Sequence, residues 1–179
     1  PRHGIRAVNI KHCVLRNNEC YDQLFDGIQL GFSENVVIEY NTVHHQRVGI
    51  NLGDQHLNPV IRGNRCYAND QAGIQMDGDA YLISNAKLEQ NILYDNNHQA
   101  SAAINMRDVE QALLINNLLY NNWRNAIAVN NCLHTHIYNN TIVNPIDSKW
   151  CILLCNQSEG ARVYNNILVN LDPEKGSIG

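Results

Sequence analysis

One six-residue pattern recurs along the chain at intervals of 23 to 27 residues. It reads apolar residue, two variable residues, Asn, one variable residue, apolar residue, as in IEYNTV and LINNLL. The Asn positions are Asn41, Asn64, Asn91, Asn117, Asn140 and Asn166. An earlier copy keeps the apolar frame with Ile10 and Leu15 but has Cys13 in the Asn position. A repeat of this length cannot bury its own apolar face, so it predicts a solenoid whose turns stack on one another.

A second motif follows the first six turns and reads GIQL, GINL, GIQM, AINM, AIAV and CILL. Its period-two alternation predicts short strands rather than helix. Parallel strands about 4.8 Å apart place like residue on like residue from turn to turn. Asn makes up about one residue in six, although it is a poor strand residue, and a stacked Asn ladder at a bend accounts for it. The sequence therefore predicts an all-β fold, a parallel β-helix of about seven coils with an internal Asn ladder.

The IxxNxI turn leading into a GIxL strand resembles the right-handed β-helix repeats of the pectate-lyase-like superfamily, from Ile10 to Val169. The resemblance implies a right-handed helix forming one domain over residues 1–179. It also implies a polysaccharide or oligosaccharide ligand and an extracellular, cell-surface or periplasmic location. The repeat is already running by Ile10, so we interpret the chain as an excised part of a longer protein, with its targeting signal outside the sequence. We expect a flanking domain or a partner subunit to cover the solenoid ends, because open strand edges invite pairing.

Charge and hydropathy exclude two classes of partner. The formal net charge is -4 and only 17% of residues are charged, whereas a nucleic-acid-binding surface needs a basic excess. The chain also lacks an apolar run near the length of a membrane span. The six Cys residues do not follow the spacing of a disulfide framework or a zinc site, and we expect most to be buried thiols.

The outward positions of the GIxL strands form the candidate ligand-binding row. In the superfamily that the repeat resembles, the ligand lies along the outside of this sheet. The predicted substrate-binding residues are Gln29, Asn51, Gln75 and Asn105. Amides offer both donors and acceptors to hydroxyl-rich ligands. The alternative interpretation is an exposed amide ladder that serves only to stack the coils.

Charged residues follow these strands and form the candidate catalytic group. They are Asp54, His56, Asp77, Asp79, Arg107 and Asp108. Aligning the coils on Gly-Ile puts Asp77 level with Gly53, and Asp79 level with Gln55. We therefore expect the group to gather within about two coils, or roughly 10 Å, at one edge of the sheet.

Neighbouring carboxylates in this group allow two kinds of chemistry. Set far enough apart to admit a water, they serve as acid and base in inverting glycoside hydrolysis. Set closer, Asp77 and Asp79 can hold Ca²⁺, the one cofactor that the pattern suggests. A cation beside a uronate acidifies its C5 proton, and Arg107 could neutralise the carboxylate or abstract the proton, which is the logic of a polysaccharide lyase. Asp and Gly are also ordinary turn residues, so plain turn chemistry is the competing explanation.

Three functions are compatible with these patterns. The first is a polysaccharide-degrading enzyme, either a lyase or a glycoside hydrolase. The second is a non-catalytic carbohydrate-binding or surface module, which is favoured by the absence of the Gly-His-Gly and Arg-Ile-Lys motifs of polygalacturonan hydrolases and of the epimerase Asp-Pro-His-Glu run. The third is a structural spacer or tailspike-like shaft.

Two groups of ring side chains complete the predictions. Tyr67, Tyr94 and Tyr120 share one repeat position, so we expect them to stack as an inter-coil ladder that covers a sheet. His44 and His45 follow a ladder position, and without an evident third metal ligand we expect them to form a solvated bend.

Overall fold

The computed structural model describes residues 1–78, 83–96 and 102–179, and in these residues the chain winds as a parallel β-helix of seven coils. Each coil contributes one strand to each of three sheets, and all pairs between coils are parallel. The predicted fold class and coil number are therefore confirmed.

The GIxL motifs form the first sheet. Its strands are β1 (Ile5–Lys11), β4 (Asp26–Glu34), β7 (Val48–Leu57), β10 (Ala72–Asp77), β14 (Ala102–Arg107), β18 (Asn125–Asn130) and β21 (Ile152–Cys155), with short strands β11 (Ile83–Ser84) and β15 (Val109–Glu110) beside them.

The residues before each ladder Asn form the second sheet, and those after it form the third. The second sheet contains β2 (Val14–Arg16), β5 (Val37–Glu39), β8 (Val60–Arg62), β12 (Lys87–Glu89), β16 (Leu113–Ile115), β19 (His136–Tyr138) and β22 (Arg162–Tyr164). The third contains β3 (Glu19–Tyr21), β6 (Thr42–His44), β9 (Arg65–Tyr67), β13 (Ile92–Tyr94), β17 (Leu118–Tyr120), β20 (Thr141–Asn144) and β23 (Ile167–Asn170).

The core is a set of aliphatic columns that run along the solenoid axis. In the first sheet Ile28, Ile50 and Ile74 pair in register and are fully buried. Ile61 and Leu88 do the same in the second sheet. Burying one such side chain contributes about 2 kcal/mol, so the phase of the repeat is strongly specified. A one-residue slip would turn every column outward.

The predicted Asn ladder occupies the bend between the second and third sheets. The amide of Asn91 shows the pattern: its oxygen accepts the backbone N–H of Asn64 at 3.0 Å, and its nitrogen donates to Ile61 O at 2.9 Å and to Asn117 Oδ1 at 3.0 Å. Each Asn thus satisfies backbone groups that the tight bend would otherwise leave unpaired.

The first coil corrects one assignment. Its ladder residue is Asn18, whose backbone N–H donates to Asn41 Oδ1 at 2.9 Å, and not Cys13. Leu15 pairs with Ile38, so the frame of this coil is Leu15, Asn18, Cys20. The prediction was wrong because Ile10 was placed in this frame, whereas it belongs to the first sheet.

A left-handed residue precedes each ladder Asn, and this accounts for more of the Asn content. The seven residues are Asn17, Tyr40, Gly63, Gln90, Asn116, Asn139 and Asn165, with φ between 55° and 62°. Asn tolerates this conformation better than most residues do. Pairs such as Asn116-Asn117 therefore combine one Asn for the backbone turn with one for the ladder.

A second amide ladder, which the sequence analysis missed, lies at the bend between the third and first sheets. Gln46 N–H donates to Asn69 Oδ1 at 3.2 Å, Asn69 N–H to Asn96 Oδ1 at 3.2 Å, and Asn96 N–H to Asn122 Oδ1 at 3.1 Å. The signal was present in the sequence, since each residue follows its partner in the first ladder by five positions.

The predicted aromatic ladder is confirmed on the outside of the third sheet. Tyr67 and Tyr94 stack with centroids 4.9 Å apart, as do Tyr94 and Tyr120. His44 continues this stack rather than forming a solvated bend, because its ring lies 4.6 Å from Tyr67 and 5.4 Å from Tyr21.

Replacement of a central ladder residue tests what the ladder contributes to stability. Asn91→Ala removes the amide that accepts from the backbone N–H of Asn64 and donates to Ile61 O, whereas Asn117 Oδ1 keeps the backbone N–H of residue 91, so we expect a loss of about 3 kcal/mol in the free energy of unfolding. Asn166→Ala in the half-buried last coil should cost about 1 kcal/mol, since water can replace the amide there. Urea unfolding curves measure both losses, and equal losses would contradict a structural role for burial of the ladder.

Candidate functional site

The predicted amide row lies on the outside of the first sheet with its members in register. Gln29 pairs with Asn51, Asn51 with Gln75, and Gln75 with Asn105. Asn51 is only 8% exposed. Within the described part of the chain, Asn51 Oδ1 and Gln29 Oε1 are buried acceptors without a hydrogen-bond partner. The row therefore contains two carbonyl oxygens that still lack a donor, which is unusual for buried polar atoms.

Asp26, which the sequence analysis did not select, holds Asn51 in place. Its carboxylate is fully buried and accepts hydrogen bonds from Asn51 Nδ2 at 2.9 Å and from Arg47 Nη2 at 2.9 Å. A buried charge is tolerated when a counter-ion and hydrogen bonds surround it in this way. The available signal was a carboxylate at the position where the next two coils have Val48 and Ala72.

Asp77 and Arg107 are joined in a two-point ion pair. Asp77 lies level with Gly53, as predicted, and pairs with Arg107 in the next coil. Arg107 Nε donates to Asp77 Oδ1 at 2.7 Å and Nη2 to Oδ2 at 2.8 Å, while Asp108 Oδ2 lies 4.0 Å from Arg107 Nε. The two side chains are 28% and 45% exposed, so a ligand on this face can compete for either one.

Asp54 directly follows Gly53, the residue level with Asp77. It is exposed, with a φ of 72°, and its Oδ2 packs over Gly31 of the preceding coil, 3.3 Å from where a Cβ would stand. Asp77 belongs to the following coil. Among the described residues, no hydrogen bond or ion pair joins Asp54 to Asp77 or Arg107.

Asp79 lies outside the described residues, so Asp77 is the one member of the predicted Ca²⁺-binding pair whose position is described. Both Asp77 oxygens are bonded to Arg107. Across residues 1–78, 83–96 and 102–179, no three His, Cys, Asp or Glu side chains gather closely enough to hold a metal ion. All six Cys residues are free thiols.

His56 is buried in the interior, whereas the sequence analysis grouped it with the charged residues at one edge of the sheet. It is fully buried and pairs in register with the core residue Ile83. Gly53 O lies 2.7 Å from Nε2 and Ser33 Oγ lies 2.6 Å from Nδ1. A carbonyl can only accept, so Nε2 carries the proton and Nδ1 accepts from the Ser33 hydroxyl. Both nitrogens are therefore engaged, and neither can reach a ligand on the surface.

The buried His56 should make stability depend on pH. Burial lowers the pKa of His56 below its ordinary value of 6.5, so the unfolded chain binds this proton more readily than the folded one. The stabilisation is complete above the unfolded pKa and declines as pH falls towards the folded pKa.

The matched variants are His56→Gln, which cannot titrate, and His12→Gln at an exposed bend. Between about pH 8 and about pH 5 we expect a smaller fall in Tm for His56→Gln than for the parent chain. His12→Gln should follow the parent. If His56→Gln and the parent have parallel Tm profiles, the conclusion that His56 is buried as a neutral imidazole is wrong.

Stacked coils, three parallel sheets and an internal Asn ladder define a parallel β-helix. Residues 1–142 match the family described as "Right handed beta helix region". The chain belongs to that family, which confirms the handedness that the repeat implied. No curated protein sequence matches the chain.

Several solved structures share this fold at low identity. A double mutant of the periplasmic alginate epimerase AlgG has a TM-score of 0.77 at 17% identity, over 99% of this chain and 46% of that one. The A-module of the Azotobacter vinelandii mannuronan C-5 epimerase AlgE4 has a TM-score of 0.67 at 15% identity, over 96% and 58%. DFA-IIIase from Arthrobacter chlorophenolicus has a TM-score of 0.53 at 12% identity, over 90% and 48%. The chain thus spans about half the length of these proteins.

No helix of the described residues is long and apolar enough to cross a membrane.

Proposed function

We propose that this chain acts on a polysaccharide that lies along the outer face of the first sheet. The observation that carries the proposal is the amide row, in register over four coils, in which Gln29, Gln75 and Asn105 are partly exposed on the outer face. Sugar hydroxyls can exchange hydrogen bonds with the partly exposed amides of Gln29, Gln75 and Asn105 along the solenoid. The coil spacing of about 4.8 Å suits a polymer whose repeating unit is one sugar.

Catalysis on that polysaccharide, as a lyase or a glycoside hydrolase, is the first form of this function. Asp54 is an exposed carboxylate without an ion-pair partner among the described residues, and we assign it the role of base. Arg107 would exchange Asp77 for a uronate carboxylate, which increases the acidity of the C5 proton. In hydrolysis, Asp54 and Asp77 would act as the acid and base, with Asp108 adjoining Arg107. A Ca²⁺ at Asp77 and Asp79 would require Asp77 to leave Arg107.

Binding without catalysis is the second form. It is favoured because polar side chains of this face already have partners. Asp77 is paired with Arg107, and Asn51 donates a hydrogen bond to Asp26. A structural spacer is the third, since the repeat alone explains most of the sequence.

An extracellular or periplasmic location accompanies the proposal, because polysaccharides of this kind lie outside the cytoplasm and AlgG, one of the similar structures, is a periplasmic epimerase. We also propose that a flanking segment or subunit covers the first coil, where the inward residues Ile5, Ala7 and Leu15 are only partly buried. Covering them would complete columns that are fully buried in the coils that follow.

A panel of acidic and neutral polysaccharides tests the reaction. Ultraviolet absorbance of unsaturated ends detects a lyase, and new reducing ends without that absorbance detect a hydrolase. We expect Asp54→Asn to lower the rate about a hundredfold or more, the range for loss of a positioned base. Asp22→Asn is the control, since Asp22 is also exposed with a positive φ but lies at the opposite bend.

Each result discriminates between the three forms. An unchanged rate in Asp54→Asn would overturn its role as base. Binding without products, weakened by Gln75→Ala and Asn105→Ala, would support the module. Absence of any binding across the panel would support the third form, a structural spacer.

A further inference from the structure

A trough on the second sheet, which is a different sheet from that of the amide row, has one guanidinium and two imidazoles in its lining. It runs across the last three coils and has a volume of about 450 Å³. Leu113, His136 and Arg162 pair in register along its floor. Tyr138 and Tyr164 form one wall, stacked with centroids 4.8 Å apart. His134 lies on the opposite side, at the bend that enters the second sheet. We call this the second-sheet trough.

In the earlier coils, polar residues in the row of Tyr164 and at the bend before the second sheet are paired among themselves. Glu39 is buried between Arg16 and Arg62, with Arg62 Nε donating to it at 2.7 Å. At the bend, Asn58 Nδ2 donates to Asn35 Oδ1 at 2.8 Å and Asn85 Nδ2 to Asn58 Oδ1 at 3.1 Å. These pairs are compatible with a face that only stacks coils.

Pairing of this kind stops at the trough. Tyr138 and Tyr164 continue the row that holds Glu39, and His134 stands at the bend position that holds Asn58. Arg162 has no carboxylate partner among the described residues, and none of the residues lining the trough is acidic. The exposed guanidinium of Arg162 therefore supplies a positive charge at the trough, on a chain whose formal net charge is -4.

Gly160 shapes the wall of the trough. With a φ of 65°, it stands where its backbone conformation favours glycine, and a Cβ there would lie 2.4 Å from His134 Nδ1. The His134 ring therefore lies directly against the backbone of the next coil. A larger residue would push the imidazole out of this position.

We propose that the second-sheet trough binds a carboxylate-bearing sugar unit of an acidic glycan. The Arg162 guanidinium donates two parallel hydrogen bonds to the planar carboxylate. The Tyr138 and Tyr164 pair packs against the apolar side of the sugar ring, and His134 and His136 bond its hydroxyls. The inference rests on the proposed function only in taking the ligand to be a glycan, and it adds a second contact surface on a different sheet.

Nuclear magnetic resonance titration of the 179-residue chain with tetragalacturonate tests the inference, with cellotetraose as the neutral probe. We expect shifts at His136, Arg162 and Tyr164 with the acidic probe alone. Arg162→Gln should weaken that binding about tenfold, the typical contribution of a charge-assisted pair, and Arg162→Lys by less. Tyr164→Ala should also weaken binding of the acidic probe, because it removes one ring of the stacked pair. Lys175→Gln removes the same charge from the exposed C-terminal tail and should change nothing.

Three results would overturn the inference. They are equal affinity of Arg162→Gln and the parent chain, shifts confined to the first sheet, and inorganic phosphate binding as tightly as the sugar acid. The last result would identify a general oxyanion site. Gln75→Ala and Asn105→Ala separate the two proposals, because they weaken binding only at the first sheet. Loss in those variants alone would support the first-sheet face and reject the trough, and the converse would do the opposite.

Discussion

The parallel register between coils is the constraint on which the rest of the structure depends. Each coil donates backbone hydrogen bonds to the next, so a residue meets its equivalent about 4.8 Å away, again and again along the axis. Each side chain must therefore be compatible with the equivalent side chains of the two neighbouring coils. Ile can stack on Ile at no cost, and Asn on Asn gains hydrogen bonds, whereas like charges would repel. The scarcity of charge and the abundance of Ile and Asn both follow.

Most buried polar groups of the described residues take a hydrogen-bond partner from the same or an adjacent coil. Asn91 donates to the backbone carbonyl of Ile61 at the bend, and the Asp26 carboxylate accepts hydrogen bonds from Arg47 and Asn51. His56 replaces an aliphatic residue in a column and is satisfied by Ser33 and Gly53. These three cases show one rule, which is that a buried polar atom in a stacked coil takes its partner from the same or an adjacent coil. Among the described residues, Gln29 Oε1, Asn51 Oδ1, Thr135 Oγ1 and Asn144 Oδ1 depart from that rule, and the first two lie in the row where we place the ligand.

Outward rows are where the coils differ, because no column of core residues dictates them. On the first sheet the row changes from amides to Ala128 and Leu153 towards the C-terminal end. On the second sheet the row that holds the ion pairs around Glu39 continues as Tyr138 and Tyr164, beside the row that ends in Arg162. The two candidate binding surfaces are therefore displaced along the solenoid as well as around it, which would suit a long polymer that contacts more than one sheet.

The repeat by itself determined the solenoid, its seven coils, the ladder from Asn41 to Asn166 and the level of Asp77 with Gly53, because stacking at a fixed period converts sequence spacing directly into position. The direction in which a side chain leaves an irregular bend was not determined in this way. His56, which follows an extra residue in β7, therefore turned inward, and Asp54 leaned back over Gly31. Tertiary structure also decided which charges found partners, joining Asp77 to Arg107 and Asp26 to Arg47 and leaving Arg162 without one. The physical reason is that the repeat determines the coil and the register in which a residue lies. Hydrogen bonds and ion pairs depend in addition on where the side-chain atoms lie, to within a few tenths of an ångström.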